Sequence, residues 1–188
     1  MHDDGVDCIL IDNASGTREA AVHLLKSVPA ERCYFVGGPA ENFDSRHRAE
    51  AFTKVLREHA CEARPDQTAY GRYSVEWGEA WATSMLATGA LINAGVLAGN
   101  DEIALGIMQT ATAAGVHVPD EFKVIGFDDT RLASLVRPRM SSVRVPMAAI
   151  GAAAIAAVVR RLENPEEHAT CVRLATKLVE RESSGGKV

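Results

Sequence analysis

Four acidic or amide side chains stand where apolar runs stop. Asp12 follows "CILI" (8–11), Asn100 follows "AGVLAG" (94–99), and Asp128 with Asp129 follows "KVIGF" (123–127). Carboxylates and an amide in such places can hold a divalent cation, bond sugar hydroxyls, face a phosphate, or cap the next helix. The Asp128-Asp129 pair suits Mg²⁺ chemistry, as in a metal-dependent α/β enzyme. Against that, a receiver-type site needs its acid pair after an early strand and a lysine after a late one. A dehalogenase-type phosphatase needs Asp-x-Asp near the start, and neither pattern is present. Capping by Asp129, with Asp128 as a hydrogen-bond acceptor, is the plainer alternative.

Other residues offer weaker signals. Arg48, in "SRHR" (45–48), lies four residues before the apolar Phe52, within reach of the strand-end rim. A guanidinium there can fork to adjacent hydroxyls or a carboxylate, although a solvated surface arginine is the commoner case. Tyr73 and Trp77 are four apart and suit either sugar stacking or core packing. "GGP" (37–39) is a weak phosphate signal, because Pro39 lacks an N–H. The six histidines form no HExxH pattern, and no nucleophile elbow is present.

The elements that must position these residues alternate. Strands are expected over 8–11, 32–38, 67–71, 94–100 and 123–129, separated by helices over 15–25, 45–59, 75–87 and 101–115. Asn13 or Ser15 is the expected cap of the first helix, and Gly115 ends the fourth. Strands apolar along their whole length predict a parallel sheet covered by helices on both faces, with ligands beyond the strands' carboxyl ends. "SSVRVP" (141–146) reads as a further strand, and "CVRLATKLVER" (171–181) has a strand-like rhythm. Between them "MAAIGAAAIAAVVRRL" (147–162) is apolar on nearly every face, which calls for cover on more than one side.

Composition excludes more than it selects. The chain has 188 residues and a net charge of −5, unlike the basic face of a nucleic-acid binder. No membrane-length apolar run or secretory leader is evident, so a cytoplasmic location is expected. Four cysteines with no Cys-x-x-Cys pair read as reduced thiols rather than a zinc site.

"NDEIALGIMQTATAAGVHVPDEFKVIGFDDTRLASLVRP" resembles the effector-binding core of the lactose/galactose repressor (LacI/GalR) family. So do "DNASGTREAAVHLL", "YFVGGPAENFDSRHRAEAF", "SSVRVPMAAIGAAAIAAVVRRL" and the closing "LVERESS". The resemblance implies a periplasmic-binding-protein-like α/β fold: a parallel sheet flanked by helices, essentially one lobe plus a segment returning to the other. Residues 1–138 are expected in the carboxyl-terminal lobe, 139–163 in the return segment, and 164–188 in that lobe's last strand and polar tail. It implies a small effector, a sugar or purine-like molecule, bonded by Arg48, Asn100 and Asp128 with Tyr73 packed on it. It implies no catalytic residues, metal or cofactor, and no membrane partner.

What the family carries before "VDCILIDN", a helix-turn-helix headpiece, hinge and most of one lobe, lies outside these residues. Operator DNA and a homodimer are therefore expected of a full-length form alone. "RPRMSSV" departs from the family's usual Pro-Pro-Leu-Thr-Thr-like run, and Ala51 stands where a glycine is common. A periplasmic sugar-binding protein shares the fold, but the missing leader disfavours it. With net charge −5 and no recognition helix, this chain by itself should give no specific operator complex. A mobility shift of sub-micromolar affinity on any defined DNA sequence would refute that expectation.

Overall fold

The computed structural model describes residues 5–186. The expected alternation is present: β1 (Cys8–Ile11), α1 (Asn13–Leu25), β2 (Cys33–Gly37), α2 (Phe43–Glu58), β3 (Thr68–Tyr70), α3 (Val75–Ala87), β4 (Gly95–Ala98), α4 (Asp101–Ala113) and β5 (Lys123–Asp128). A short helix that sequence reading missed, α5 (Arg131–Leu135), then leads to β6 (Ser141–Arg144), α6 (Met147–Glu163), β7 (Cys171–Leu174) and β8 (Lys177–Val179). Six strands form the main sheet in the order β3-β2-β4-β5-β6-β8, all parallel except β8, which runs antiparallel to β6.

Period-two alternation divides two cores between the sheet faces. Tyr34, Val36, Val96, Ala98 and Val124 join a core with α3 and α4. Cys33, Phe35, Leu97, Ile125, Phe127 and Val143 join the other with α1 and α2. From β2 the chain crosses outward to β3, and from β4 it crosses the other way to β5. The order therefore reverses between β2 and β4, and their carboxyl ends bound a crevice of the kind where open α/β sheets bind ligands.

Three expectations about strand placement are corrected. The strand at 141–144, assigned with its helix to a segment returning toward another lobe, lies inside the main sheet between β5 and β8. Its buried Ser141, Ser142 and Val143 satisfy the edge of β5, which would otherwise be open. Conversely β1, expected in the main sheet, pairs instead with β7 in a separate parallel ribbon, Cys8 opposite Cys171 through Ile11 opposite Leu174. "CVRLATKLVER" thus splits between two sheets, because the chain leaves the ribbon after Leu174 and pairs β8 with β6. The outermost residues of the expected segments, 1–4 and 187–188, lie outside the described residues.

Helix α6 flanks the ribbon and has no buried residue; Ile155, Val158 and Leu162 are 67%, 59% and 76% exposed. Its apolar character is not matched by cover, as its sequence required. Asp7 ties its end to the ribbon, accepting from Arg160, Arg161 and the Thr170 N–H. The Thr170 N–H foremost, then the Thr170 hydroxyl and the two guanidiniums, hold that carboxyl well below the usual range.

Helices α3 and α4 touch backbone to backbone through two glycines. A Cβ on Gly78 would lie 2.1 Å from the Ile103 carbonyl oxygen, and one on Gly106 would lie 2.0 Å from that of Val75. Neither carbonyl can rotate away, so the helices must part. Gly106→Ala should cost about 2 kcal/mol or more despite the better helix propensity of alanine. Chemical denaturation checks this, and an unchanged or raised midpoint would contradict the close approach.

Candidate functional site

The carboxyl ends of the strands open onto a cleft of about 390 Å³. Its polar wall is made by Asp44, Arg48 and Asp128, and its apolar wall by Phe43, Val145, Met147, Ile150 and the three isoleucine and leucine residues of β1, Ile9 to Ile11. Arg48 and Asp128, predicted from sequence, are therefore brought together. Asp44 and Phe43 were missed. Asp44 stands in the first turn of α2, where an acid reads as ordinary dipole complementation, and so gave no separate signal.

Arg48 is not a surface arginine; it is 4% exposed. Its guanidinium lies 3.6 Å from the centroid of the Phe127 ring. Nε donates to Asn13 Oδ1 at 2.8 Å and Nη1 to the Gly99 carbonyl at 2.6 Å. Asn13 in turn donates through Nδ2 to Asp44 Oδ1 at 2.7 Å. The expected cap of α1 was Asn13 or Ser15, but Asp12 takes that role, accepting from the Ser15 N–H at 3.1 Å. Asn13 is thereby freed to connect Arg48 with Asp44. Burial lowers the affinity of Arg48 for its proton, while Asp128, Tyr73 and Asp44 oppose that effect.

Asp128 is pushed up to about 6, chiefly by burial. Arg48 pulls the other way, and Asp101, Asp44 and Glu102 add to the rise. Asp128 and Asp129 have φ of 106° and 51°, so the chain is not extended there and strand alternation does not set the directions of the two side chains. Asp129 was expected to serve the local backbone. Its carboxylate instead sits between Arg144 Nε and Arg181 Nη2, each at 2.7 Å, with its side chain 4% exposed. The pair does not converge on one point: one carboxylate lines the cleft and the other is locked between two arginines. A Mg²⁺ site built on both has lost its second ligand.

Tyr73 lies against the strand-end loop rather than in the cleft wall. Its hydroxyl donates to Asn42 Oδ1 at 3.2 Å, and a Cβ on Gly38 would strike its ring at 2.3 Å, so this loop position takes glycine. Burial raises its phenol, while Arg48 opposes that shift. Trp77 is committed elsewhere, donating through Nε1 to the Gly37 carbonyl at 3.0 Å. Asn100 caps α4, its Oδ1 accepting from the Ile103 N–H at 2.9 Å, which leaves its Nδ2 for other bonds. The neighbouring Asp101 is 1% exposed and accepts from Ser142 Oγ at 2.6 Å and from the Thr130 N–H and hydroxyl at 2.7 and 2.8 Å.

Residues 22–184 match the family model described as a periplasmic binding protein-like domain. The chain is 32% identical over 176 residues to an uncharacterized HTH-type transcriptional regulator in the aml 5' region of Streptomyces limosus, covering 92% of this chain and 49% of that protein. Among solved structures it is similar to a transcriptional regulator CelR–cellobiose complex, with TM-score 0.89 and 25% identity over 97% of this chain and 55% of that one. It also shares its fold with a LacI family transcriptional regulator from Enterococcus faecium with bound ribose, at TM-score 0.83 and 24% identity, covering 94% and 65% of the two chains. The chain spans about half the length of the curated relatives it matches.

The raised Asp128 carboxyl makes a prediction with a definite sign. Folding favours its protonated form, so its contribution to stability is complete below the ordinary value of 3.8 and is lost as pH rises from there through about 6. Asp128→Asn mimics the protonated state and should stabilise the fold at pH 7.5 by about 1–3 kcal/mol. The advantage should shrink to well under about 1 kcal/mol near pH 4. Urea unfolding of both proteins at the two pH values checks it, and a destabilised variant at pH 7.5 would show that attraction to Arg48 outweighs burial.

Proposed function

This chain belongs to the periplasmic binding protein-like domain family, and from that membership we propose that it is of the LacI/GalR regulator type and that its cleft senses a small polyhydroxyl effector. The observation that carries the proposal is the pairing of Arg48 and Asp128 on one wall of a 390 Å³ cleft whose other wall is apolar. A sugar ring has the matching anatomy: hydroxyls at its rim and C–H faces that suit Phe43, Ile150 and Met147. Asp128 accepts from a hydroxyl, and the guanidinium of Arg48, prepositioned by Asn13 and Gly99, donates to its neighbour. Asn100 and Tyr73 stand outside the cleft wall, so of the four expected residues these two would reach the effector only from its rim, Asn100 through Nδ2 and Tyr73 by packing at the loop. Cellobiose in the CelR complex and ribose in the Enterococcus structure support a sugar.

In this reading the ribbon β1–β7 and helix α6 belong with a second lobe, which would cover the apolar face of α6 and close the cleft. The chain is then the sensing part of a cytoplasmic, homodimeric transcriptional regulator that meets operator DNA through a headpiece outside these residues, and it performs no catalysis. The family relatives described above are transcriptional regulators, and no helix among the described residues is long and apolar enough to cross a membrane.

With one wall incomplete, this chain should bind cellobiose or ribose weakly, in the millimolar range, because affinity needs most of the ligand buried. Amide chemical-shift changes should centre on Arg48, Asp128 and Gly99. Asp128→Asn should weaken binding by roughly 1.5–3 kcal/mol, since the charge-assisted acceptor is lost. Shift changes confined to residues remote from the cleft would count against the assignment.

A further inference from the structure

Phosphate and carboxylate ligands in α/β folds are usually met by helix N-termini, whose free N–H groups and dipole face the strand ends. Here those ends are already taken. Asp12 caps α1, and Asn42 caps α2 with Asp44 in its first turn. Ser74 caps α3 with Glu76 following, and Asn100 caps α4 with Asp101 and Glu102 following. An incoming anion would meet carboxylates at the places where such folds normally supply bare N–H groups.

The cleft itself repeats the pattern. Its charged side chains are Asp44, Arg48 and Asp128, one cation against two carboxylates. Arg48 has only part of its donor set left for a ligand, because Nε and one hydrogen of Nη1 are engaged by Asn13 and Gly99 and its guanidinium carbon lies 3.6 Å from the Phe127 ring centroid. Two helix starts oppose this: α5, only five residues long, begins after Thr130 and α6 after Pro146, each without a side-chain cap or an acid in its first turn. Of the two only α6 lines the cleft, and it presents Met147 and Ile150, apolar side chains that give an anion no bond.

We propose that the cleft is selective by charge: it admits a neutral polyhydroxyl ring and rejects the phosphorylated or carboxylated form of the same ring, with Asp44 as a specificity-determining residue. The inference rests on the reading of the cleft as an effector site. Asp44 suits the role because its carboxylate is held toward Arg48 through Asn13 and does not itself neutralise the guanidinium by a direct bond. An anionic effector would therefore face Asp44 and Asp128 together, at short range and in a partly desolvated site where like charges repel strongly.

The test uses this chain with matched pairs: ribose against ribose 5-phosphate, glucose against glucose 6-phosphate, and cellobiose as a further neutral probe. Titrations are followed by amide shifts of residues 44, 48, 99 and 128. At least one neutral sugar should bind at the cleft at least about tenfold more tightly than its phosphate. In Asp44→Asn, which keeps an oxygen to accept from Asn13, the phosphate-to-neutral affinity ratio should rise about tenfold. Equal or tighter cleft binding of a phosphate by the unaltered chain would overturn charge selectivity while leaving the effector reading in place. An unchanged ratio in Asp44→Asn would remove Asp44 from the role. Absence of any cleft response to neutral or phosphorylated sugars would overturn the effector reading, and the selectivity with it.

Discussion

A guanidinium buried beneath the cleft must be kept satisfied, and the strand ends are organised around that requirement. Arg48 is almost wholly removed from water, a position that is costly unless neighbouring groups replace its hydration. Those groups come from separated parts of the chain: Asn13 at the start of α1, Gly99 after β4, Phe127 in β5, and the carboxylates of Asp44 and Asp128. Each is an end of an element, so the charge fixes how four elements meet. The same arrangement prepositions a donor where a ligand's hydroxyl would arrive, so no separate ordering cost falls on binding.

Beside it runs a second polar network that supports the floor without facing the cleft. Asp101 joins the start of α4 to Thr130 and Ser142, and Asp129 joins the end of β5 to Arg144 of β6 and Arg181 beyond β8. Together they hold the turn after β5 in the positive-φ conformation that directs Asp128 into the cleft. Strained backbone of this kind persists where surrounding bonds over-determine it. The four polar residues around two strand ends thus divide their work: Asn100 and Asp101 serve the helix and the turn, Asp129 serves the sheet edge, and Asp128 is left facing open space.

The ribbon and α6 obey a different balance. The lobe is packed on both faces of its sheet, whereas α6 keeps large apolar side chains in water. An exposed apolar face of this extent marks an interaction surface rather than a finished exterior. Ile9 to Ile11, Met147 and Ile150 of this same unit form the cleft's apolar wall, so whatever fixes the ribbon and helix also sets the shape of the site.

The sequence by itself determined most of the elements, the short α5 excepted, because their signals are local. Unbroken β-branched runs, amphipathic spacing in 45–59 and the Gly115 stop were all legible, as was the family pattern that names Arg48 and Asp128 together. Tertiary structure decided everything that depends on which strand pairs with which. "CILI" and "CVRL" read like any buried strands, yet hydrogen bonding put them in a ribbon apart from the sheet, while "SSVR" entered the sheet's interior. It also decided charge. Nothing local distinguishes Arg48 from a solvated arginine, Asp44 from a first-turn acid, or Asp128 from Asp129. Burial, and the distance to opposite charges contributed by remote segments, separate them, and neither quantity exists until the chain has folded.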